Sequence, residues 1–333
     1  MLSRQSGTRI GLAGRKPGAG EAGGEDLDLS AVDALGLDIG GTKIAGARVD
    51  PDGHVVAHTS RPTTADNPEG ILEAVVEICD ELGGQNTVAS VGVAVAAFLN
   101  AARDTLYFSP NIAWRDFPLA KVLSDRLGVP VVLENDANAA GWGEFRFGAA
   151  RDVSSMLMLT IGTGVGGALV NDGRLIVGGF GMAAELGHII IEPGGRLCGC
   201  GNRGCLEQYA SGTALMRDAR ERLGDETLTQ ASLTELLVEG NSDARAALEG
   251  VAFAIGRGIT SLVAVTDPEL VVIGGGVASA GELLLDPIRQ SFEETYGAKD
   301  RRPIADLAVA TMGNTAGVVG VADLARAHNG QGA

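Results

Sequence analysis

Apolar and polar positions recur with two different periods along this chain, and the switches between them mark out its elements. Residues 34–38 (ALGLD) and 43–49 (KIAGARV) are short runs of small and branched apolar residues, which predicts two strands. Asp50-Pro51-Asp52-Gly53 is turn chemistry, so HVVAHTS at 54–60 follows as a third strand. The period then changes. Ile71, Leu72, Val75, Val76, Cys79 and Leu82 recur at helical spacing, with Asn67 suited to cap that helix and Pro68 to its first position. Cys79 lies on the apolar stripe and reads as a small buried hydrophobe. VASVGVAVAAFL (88–99) predicts one continuous buried strand, VPVVLE (129–134) another, and ENDANAAGWGEF opens a helix behind it. Near the C-terminus, ELVVI (269–273) predicts a strand that passes through three glycines into a helix over SAGELLLDPIRQSFEETY.

One pattern occurs twice. LDIGGTKIAGARVDPDGHVV (37–56) overlays LTIGTGVGGALVNDGRLIV (159–177), each as strand, Gly/Thr-rich tight turn, strand, Asp-Gly turn and strand. The match is short, but it predicts an α/β protein of two domains, each beginning with a hairpin that presents a Gly/Thr turn. The length of 333 residues also fits about two domains.

Composition narrows the classes. A net charge of −16 offers no basic stripe for nucleic acid and suits a cytoplasmic protein. No apolar run is long enough to span a membrane. Residues 1–31 carry no apolar segment of a signal peptide and read as a disordered, Gly/Ala-rich leader.

GTGVGG (162–167) formally matches the dinucleotide fingerprint G-x-G-x-x-G, but a strand follows it where that fingerprint needs a helix. A Gly/Thr turn binds phosphate in another way, through exposed backbone N–H groups and a hydroxyl. Gly40-Gly41-Thr42 and Gly162-Thr163-Gly164 could hold a polyphosphate between them, or be ordinary glycine hairpins. Asp38, just before the first turn, would suit a Mg²⁺ held partly through water, or would simply cap the turn. Gly274-Gly275-Gly276 would let a base or ribose approach the backbone, or only serve the strand-to-helix turn. Asn135-Asp136 sits at a strand end, where an Asp can accept a hydroxyl proton during phosphoryl transfer; a helix cap fits the same residues.

His188, Cys198, Cys200 and Cys205 form a set of one imidazole and three thiols, the complement of a structural Zn²⁺ site. A disulfide would leave an odd thiol, and the C-x-x-C redox motif is absent. Such a site is closed to water. It would fix Glu185, His188 and Glu207 on one rigid loop, where they could bind a polyhydroxylated ligand.

These motifs in this order resemble the ROK family of repressors, open reading frames and sugar kinases. The residues that carry the likeness are LDIGGTKIAG, FSPNIAW, ENDANAA, TIGTGVGGA, ELGH, CGCGNRGCLEQYASG and VVIGGGV, from about Leu35 to Ala327. The resemblance implies an actin-like, hexokinase-type (ribonuclease H-like) fold, with two α/β domains around a cleft. The small domain would span 34–137, with a C-terminal helix at about 316–328 packing back on it, and the large domain 138–315 with a zinc loop at 188–207. The chain would form a homodimer or homotetramer.

The implied activity is phosphorylation of glucose at C6 by ATP with Mg²⁺. Asp136 would be the base, and Asn111, Asn135, Asp136, Glu185, His188 and Glu207 the sugar set. Asp38, Gly40, Gly41, Thr42, Lys43, Thr163, Gly164 and Gly274–Gly276 would hold the nucleotide. An N-acylhexosamine kinase is the alternative enzyme. A sugar-responsive repressor would need a helix-turn-helix domain that the short leader cannot supply. Asn100 departs from the Asp that related glucokinases often carry.

Overall fold

The computed structural model describes residues 32–64, 66–83, 88–297 and 301–330. The leader expected at 1–31 lies outside the described residues. The first half of the chain forms β1 (Ala34–Ile39), β2 (Lys43–Val49), β3 (Val55–Pro62), α1 (Pro68–Glu81), β4 (Val91–Val95), β5 (Phe98–Leu99), β6 (Leu106–Phe108), β7 (Arg115–Phe117), α2 (Leu119–Leu127), β8 (Val131–Asn135) and α3 (Asp136–Phe147). The second half forms β9 (Met156–Ile161), β10 (Val165–Asn171), β11 (Arg174–Leu175), α4 (Glu207–Ala210), α5 (Gly212–Leu223) and α6 (Gln230–Glu239). It continues with α7 (Ser242–Thr266), β12 (Leu270–Gly274), α8 (Glu282–Thr295), β13 (Asp306–Val309) and α9 (Ala316–Gly330).

The repeat seen in the sequence is a repeat of topology. One sheet has the order β3-β2-β1-β4-β8 and the other β11-β10-β9-β12-β13. In each, the first three strands form an antiparallel meander and the rest run parallel. Ile39 pairs with Ile44 and Ile161 with Val165, so the two Gly/Thr turns close equivalent hairpins.

α1 begins as expected, with Pro68 in its first turn and the Asn67 side chain accepting from the Gly70 N–H at 3.1 Å. Its buried face is Ile71, Leu72, Val75, Ile78 and Cys79, so Ile78 takes the place expected of Val76. Burying each large aliphatic side chain there stabilises by roughly 1.5–3 kcal/mol.

Two expectations change. The strand at 88–99 is broken: β4 ends at Val95, where its partners Ile39 and Asn135 also end. With no ladder left on either side, the chain turns and β5 pairs with β6 in a small sheet β5-β6-β7. The helix expected from Ser279 begins at Glu282, after a 3-10 turn over Gly276–Ala280.

Each sheet has its own apolar core. Leu35, Leu37, Val93 and Leu133 pack with α1 and α2, while Leu159, Val271 and Ile273 pack with α5, α7 and α8. Among the described residues, α7 is the one helix long and apolar enough to cross a membrane. Its Val251, Ile255 and Ile259 are fully buried in the second core. α9 returns to the first sheet, with Val318, Val319 and Ala322 against Ala34, Ala47 and Val49. The buried Arg326 guanidinium donates to the Val49 and Asp50 carbonyls at 2.9 Å and pairs with Asp323 at 3.1 Å. Asp323 in turn accepts from Trp142 Nε1 at 2.8 Å, which ties α9 to α3.

Candidate active site

A cavity of about 670 Å³ lies between the C-terminal ends of β4 and β8 and the β9–β10 turn. Asn111, Asn135, Asp136, Glu185, His188 and Glu207 all line it, although they are scattered over nearly a hundred residues of sequence. Asn135 supplies the cap of α3: its Oδ1 accepts from the Ala137 and Asn138 N–H groups at 3.0 and 3.2 Å. Asp136, the first residue of the helix, is not the cap, although backbone N–H groups of Ala137 and of Asp136 itself favour its charged form.

Three carboxylates are held above their ordinary range: Asp136 and Glu185 on the wall of the first cavity, and Asp38, which lines neither cavity but lies close enough to feel the Asp136 charge. Burial pushes Asp38 up to about 6, the Asp136 charge adds to this, and Lys43 opposes it. Burial also raises Asp136. Glu185 is raised by burial, with His188 opposing and Asp136 and Glu207 adding. A divalent cation beside Asp38 and Asp136 would relieve their desolvation and mutual repulsion.

Glu207 opens α4 and faces the second Gly/Thr turn. Its Oε2 accepts from the Val165 N–H at 3.1 Å. A Cβ on Gly164 would lie 2.4 Å from that oxygen, so only glycine lets the turn and the carboxylate meet.

The cysteine segment closes on itself beside this cavity. His188 Nδ1 lies 3.7 Å from Cys198 Sγ, and Cys200 Sγ lies 3.6 Å from Cys205 Sγ. The four donor atoms are all within 4.8 Å of one another, and the cysteines are free. Tetrahedral Zn²⁺ with bonds of about 2.3 Å to sulfur places its sulfurs about 3.8 Å apart, so this donor set fits the metal. Burial and the neighbouring thiols push Cys205 up to about 12.

A second cavity of about 730 Å³ opens on the other side of the β9–β10 turn and shares Gly162 and Thr163 with the first. The start of α5 is docked on that turn. Gly212 N–H donates to the Gly162 carbonyl at 2.7 Å, and Thr213 Oγ1 donates to the Thr163 carbonyl at 2.7 Å. Leu215, Met216, Leu233, Leu237 and Val277 supply an apolar wall. A space with a helix N-terminus and a Gly/Thr turn at one end and an apolar wall behind suits a phosphorylated ligand with a flat, apolar part. α5 and α6 are not among the elements that the sequence pattern predicts. The capping residue Ser211, which accepts from the Ala214 N–H at 3.1 Å, was the available signal.

The model of the ROK family matches residues 34–328. The chain belongs to the ROK family. It is 41% identical over 309 residues to the glucokinase of Streptomyces coelicolor, covering 88% of this chain and 97% of that protein. It is 37% identical over 248 residues to the N-acetylmannosamine kinase of Citrobacter koseri, covering 74% of this chain and 84% of that one. Among solved structures, the Streptomyces griseus ROK family glucokinase in complex with glucose and AMPPNP matches with a TM-score of 0.80 at 40% identity, covering 89% and 99% of the two chains. The fold is thus the actin-like, hexokinase-type fold that the sequence motifs implied, with mixed α/β sheets and helices.

Not every nucleotide residue expected of a ROK chain lies where expected. Thr163, Gly164 and Gly275 line the first cavity, and Thr163 and Gly276 the second. Gly274 lines neither; it is the last residue of β12. Asp38, Gly40, Gly41, Thr42 and Lys43 line neither cavity, although a Cβ on Gly41 would lie 3.7 Å from Cβ of Asn111, which lines the first. Thr63 braces their turn, its N–H donating to the Thr42 carbonyl at 2.9 Å and its Oγ1 to the Gly40 carbonyl at 2.8 Å.

Proposed function

We propose that this ROK protein is an ATP-dependent hexokinase of glucokinase type, which transfers a phosphoryl group to the C6 hydroxyl of glucose. The observation that carries this is the pairing of two cavities across one Gly/Thr turn, with Asp136 on the side that holds six polar groups. A hexose in the first cavity and ATP in the second would meet at Gly162–Thr163. Glucose and AMPPNP in the Streptomyces griseus relative, and the name of the Streptomyces coelicolor relative, support the same substrates.

Asp136 accepts the C6 proton as the bond to phosphorus forms, because its burial and helix N-terminus aim a poorly solvated carboxylate at the hydroxyl. Asn111, Asn135, Glu185, His188 and Glu207 orient the sugar hydroxyls. The N–H groups of the β9–β10 turn and the positive end of the α5 dipole receive the phosphates. Mg²⁺, held through Asp38 and the phosphates, would neutralise charge on the transferring group. Zn²⁺ on His188, Cys198, Cys200 and Cys205 would fix the loop that carries Glu207. His188 then keeps its Nε2 for the sugar while Nδ1 faces the metal side.

In this proposal residues 34–137 with 316–328 form one lobe and 138–315 the other, and closure excludes water from the transferring phosphoryl group. The enzyme would be a cytoplasmic homodimer or homotetramer with no nucleic-acid or membrane partner. A coupled assay of the purified protein against glucose, mannose, fructose and the N-acetylhexosamines tests it. Turnover fastest on glucose is expected. Turnover only on N-acetylmannosamine would move the chain to the kinase class of its Citrobacter koseri relative.

A further inference from the structure

Arg103 lies outside the groups assigned so far, yet it touches both sides of the cleft. It sits in the β5–β6 loop, where Asn100 Oδ1 accepts from the Asp104 and Thr105 N–H groups at 3.1 and 3.2 Å and shapes the turn. The Arg103 carbonyl accepts from the Leu133 N–H of β8 at 3.3 Å. Its guanidinium pairs with Glu134 at 3.0 Å, and only 11% and 5% of the two side chains are exposed. The same Glu134 oxygen accepts from the Asn135 N–H at 2.8 Å and from Asn138 Nδ2 at 3.0 Å. This buried carboxylate therefore organises the strand end that carries Asn135 and Asp136.

The remaining reach of Arg103 crosses the cleft. Nη1 donates to the Gly181 carbonyl at 2.9 Å. Gly181 belongs to a strap, residues 178–184, that leads directly into Ala183, Ala184 and Glu185 on the wall of the first cavity. The strap also rests on the β5–β6 loop. A Cβ on Gly181 would come within 2.6 Å of the Asn100 carbonyl carbon and 2.7 Å of the Ala101 nitrogen, and its φ of 83° favours glycine.

A nearly buried guanidinium is costly to leave unpaired, so Glu134 holds it in place and the strap carbonyl finds a fixed donor. We infer that Arg103 is a positioning residue. It seats the 178–184 strap on the β5–β6 loop, so that one side chain sets both the Asp136 strand end and the Glu185 side of the sugar cavity. The seam closes the sugar side only: no residue of the strap or of the β5–β6 loop lines the second cavity. Sugar capture, and not nucleotide capture, therefore depends on this seam. The inference rests on the hexokinase proposal above for the identity of the ligand.

Two variants test it. Arg103→Met removes the seam and the buried pair together. Gly181→Ala strains the strap and lifts it from Asn100 while leaving the Arg103–Glu134 pair intact, so it remains informative if the first variant folds poorly. A charge-assisted hydrogen bond lost from the seam predicts a rise in the glucose KM on the order of tenfold in both variants. The KM for ATP should change by less than about twofold, because uniform binding is lost on one side only. Hydrogen exchange in sugar-free protein should be faster at the Ala183 amide, which ties the strap to the Val177 carbonyl just before it at 3.0 Å, and unchanged in α1. A Gly181→Ala protein with wild-type glucose KM and wild-type strap exchange overturns the inference alone. Wild-type protein that binds no hexose by calorimetry overturns the hexokinase proposal and this inference with it.

Discussion

Replacing Asp136 by Asn should separate catalysis from folding. A general base contributes roughly 10²–10⁴-fold, about 3–5 kcal/mol on the barrier, and the amide cannot take the C6 proton. The loss should fall on kcat, because Asn can still hydrogen-bond a sugar hydroxyl.

Stability should move the other way or not at all. The helix cap is Asn135, which the substitution leaves alone. Removing an acidic group from a helix first turn costs about 0.3–1 kcal/mol. Against that, burial holds the Asp136 carboxyl above its ordinary range, so the ionised side chain destabilises the fold and a neutral isostere removes that cost. The sign with pH follows. A carboxyl raised in the folded state contributes its full stability below the unfolded pKa of about 3.9 and loses it as pH rises through the folded value. The variant's Tm should equal or exceed wild type at about pH 7, and the difference should shrink toward about pH 4.

The assays are a coupled measurement of kcat, calorimetric glucose binding, and thermal melts across that pH range. Retention of more than about a tenth of wild-type kcat refutes the base assignment. A melting temperature clearly below wild type at neutral pH shows that Asp136 holds α3 in place and that its burial carries no cost.

Three further outcomes follow from the same geometry. Metal analysis of protein purified without chelator should find one Zn²⁺ per chain, and Cys205→Ser should lose both the metal and glucose affinity, because the loop carries Glu207; zinc-free protein with normal glucose affinity contradicts this. Gly164→Ala should raise the glucose KM with little loss of Tm, because its Cβ would meet the Glu207 carboxylate at 2.4 Å on a surface-accessible turn; steady-state kinetics beside a melt checks it. Asp38, held at about 6 by burial and by Asp136, contributes stability that is complete below about pH 4 and lost as pH rises through about 6. Titrating Mg²⁺ with ATP should therefore raise the wild-type Tm more at about pH 7.5 than at about pH 5, and an Asp38→Asn variant should lose that dependence.

Much of this protein was legible in one dimension. The two hairpins and α1 depend on residues within a few positions of each other, and Asn67, Pro68 and the paired Gly/Thr turns state their roles locally. The cysteine segment was readable for the same reason, since three of its four donors fall within eight positions. Of the six polar groups of the first cavity, Asn111 was legible only through the family resemblance, whereas Asn135, Asp136, Glu185, His188 and Glu207 also stood out by local pattern. Their meeting in one cavity depends on tertiary packing that no local pattern encodes.

Other features had no one-dimensional mark at all. β4 stops at Val95 because its neighbours stop there, although its apolar run continues. Leu215, Leu233 and Leu237 belong to the second core and also wall the second cavity. Helical periodicity reports that such a side chain avoids water, but not whether it faces another side chain or a ligand-sized space. Arg103 and Gly181 stand 78 residues apart and read separately as a loop charge and a loop glycine. Their contact exists only because burial of Glu134 demands a partner and tertiary packing brings the strap within reach of it.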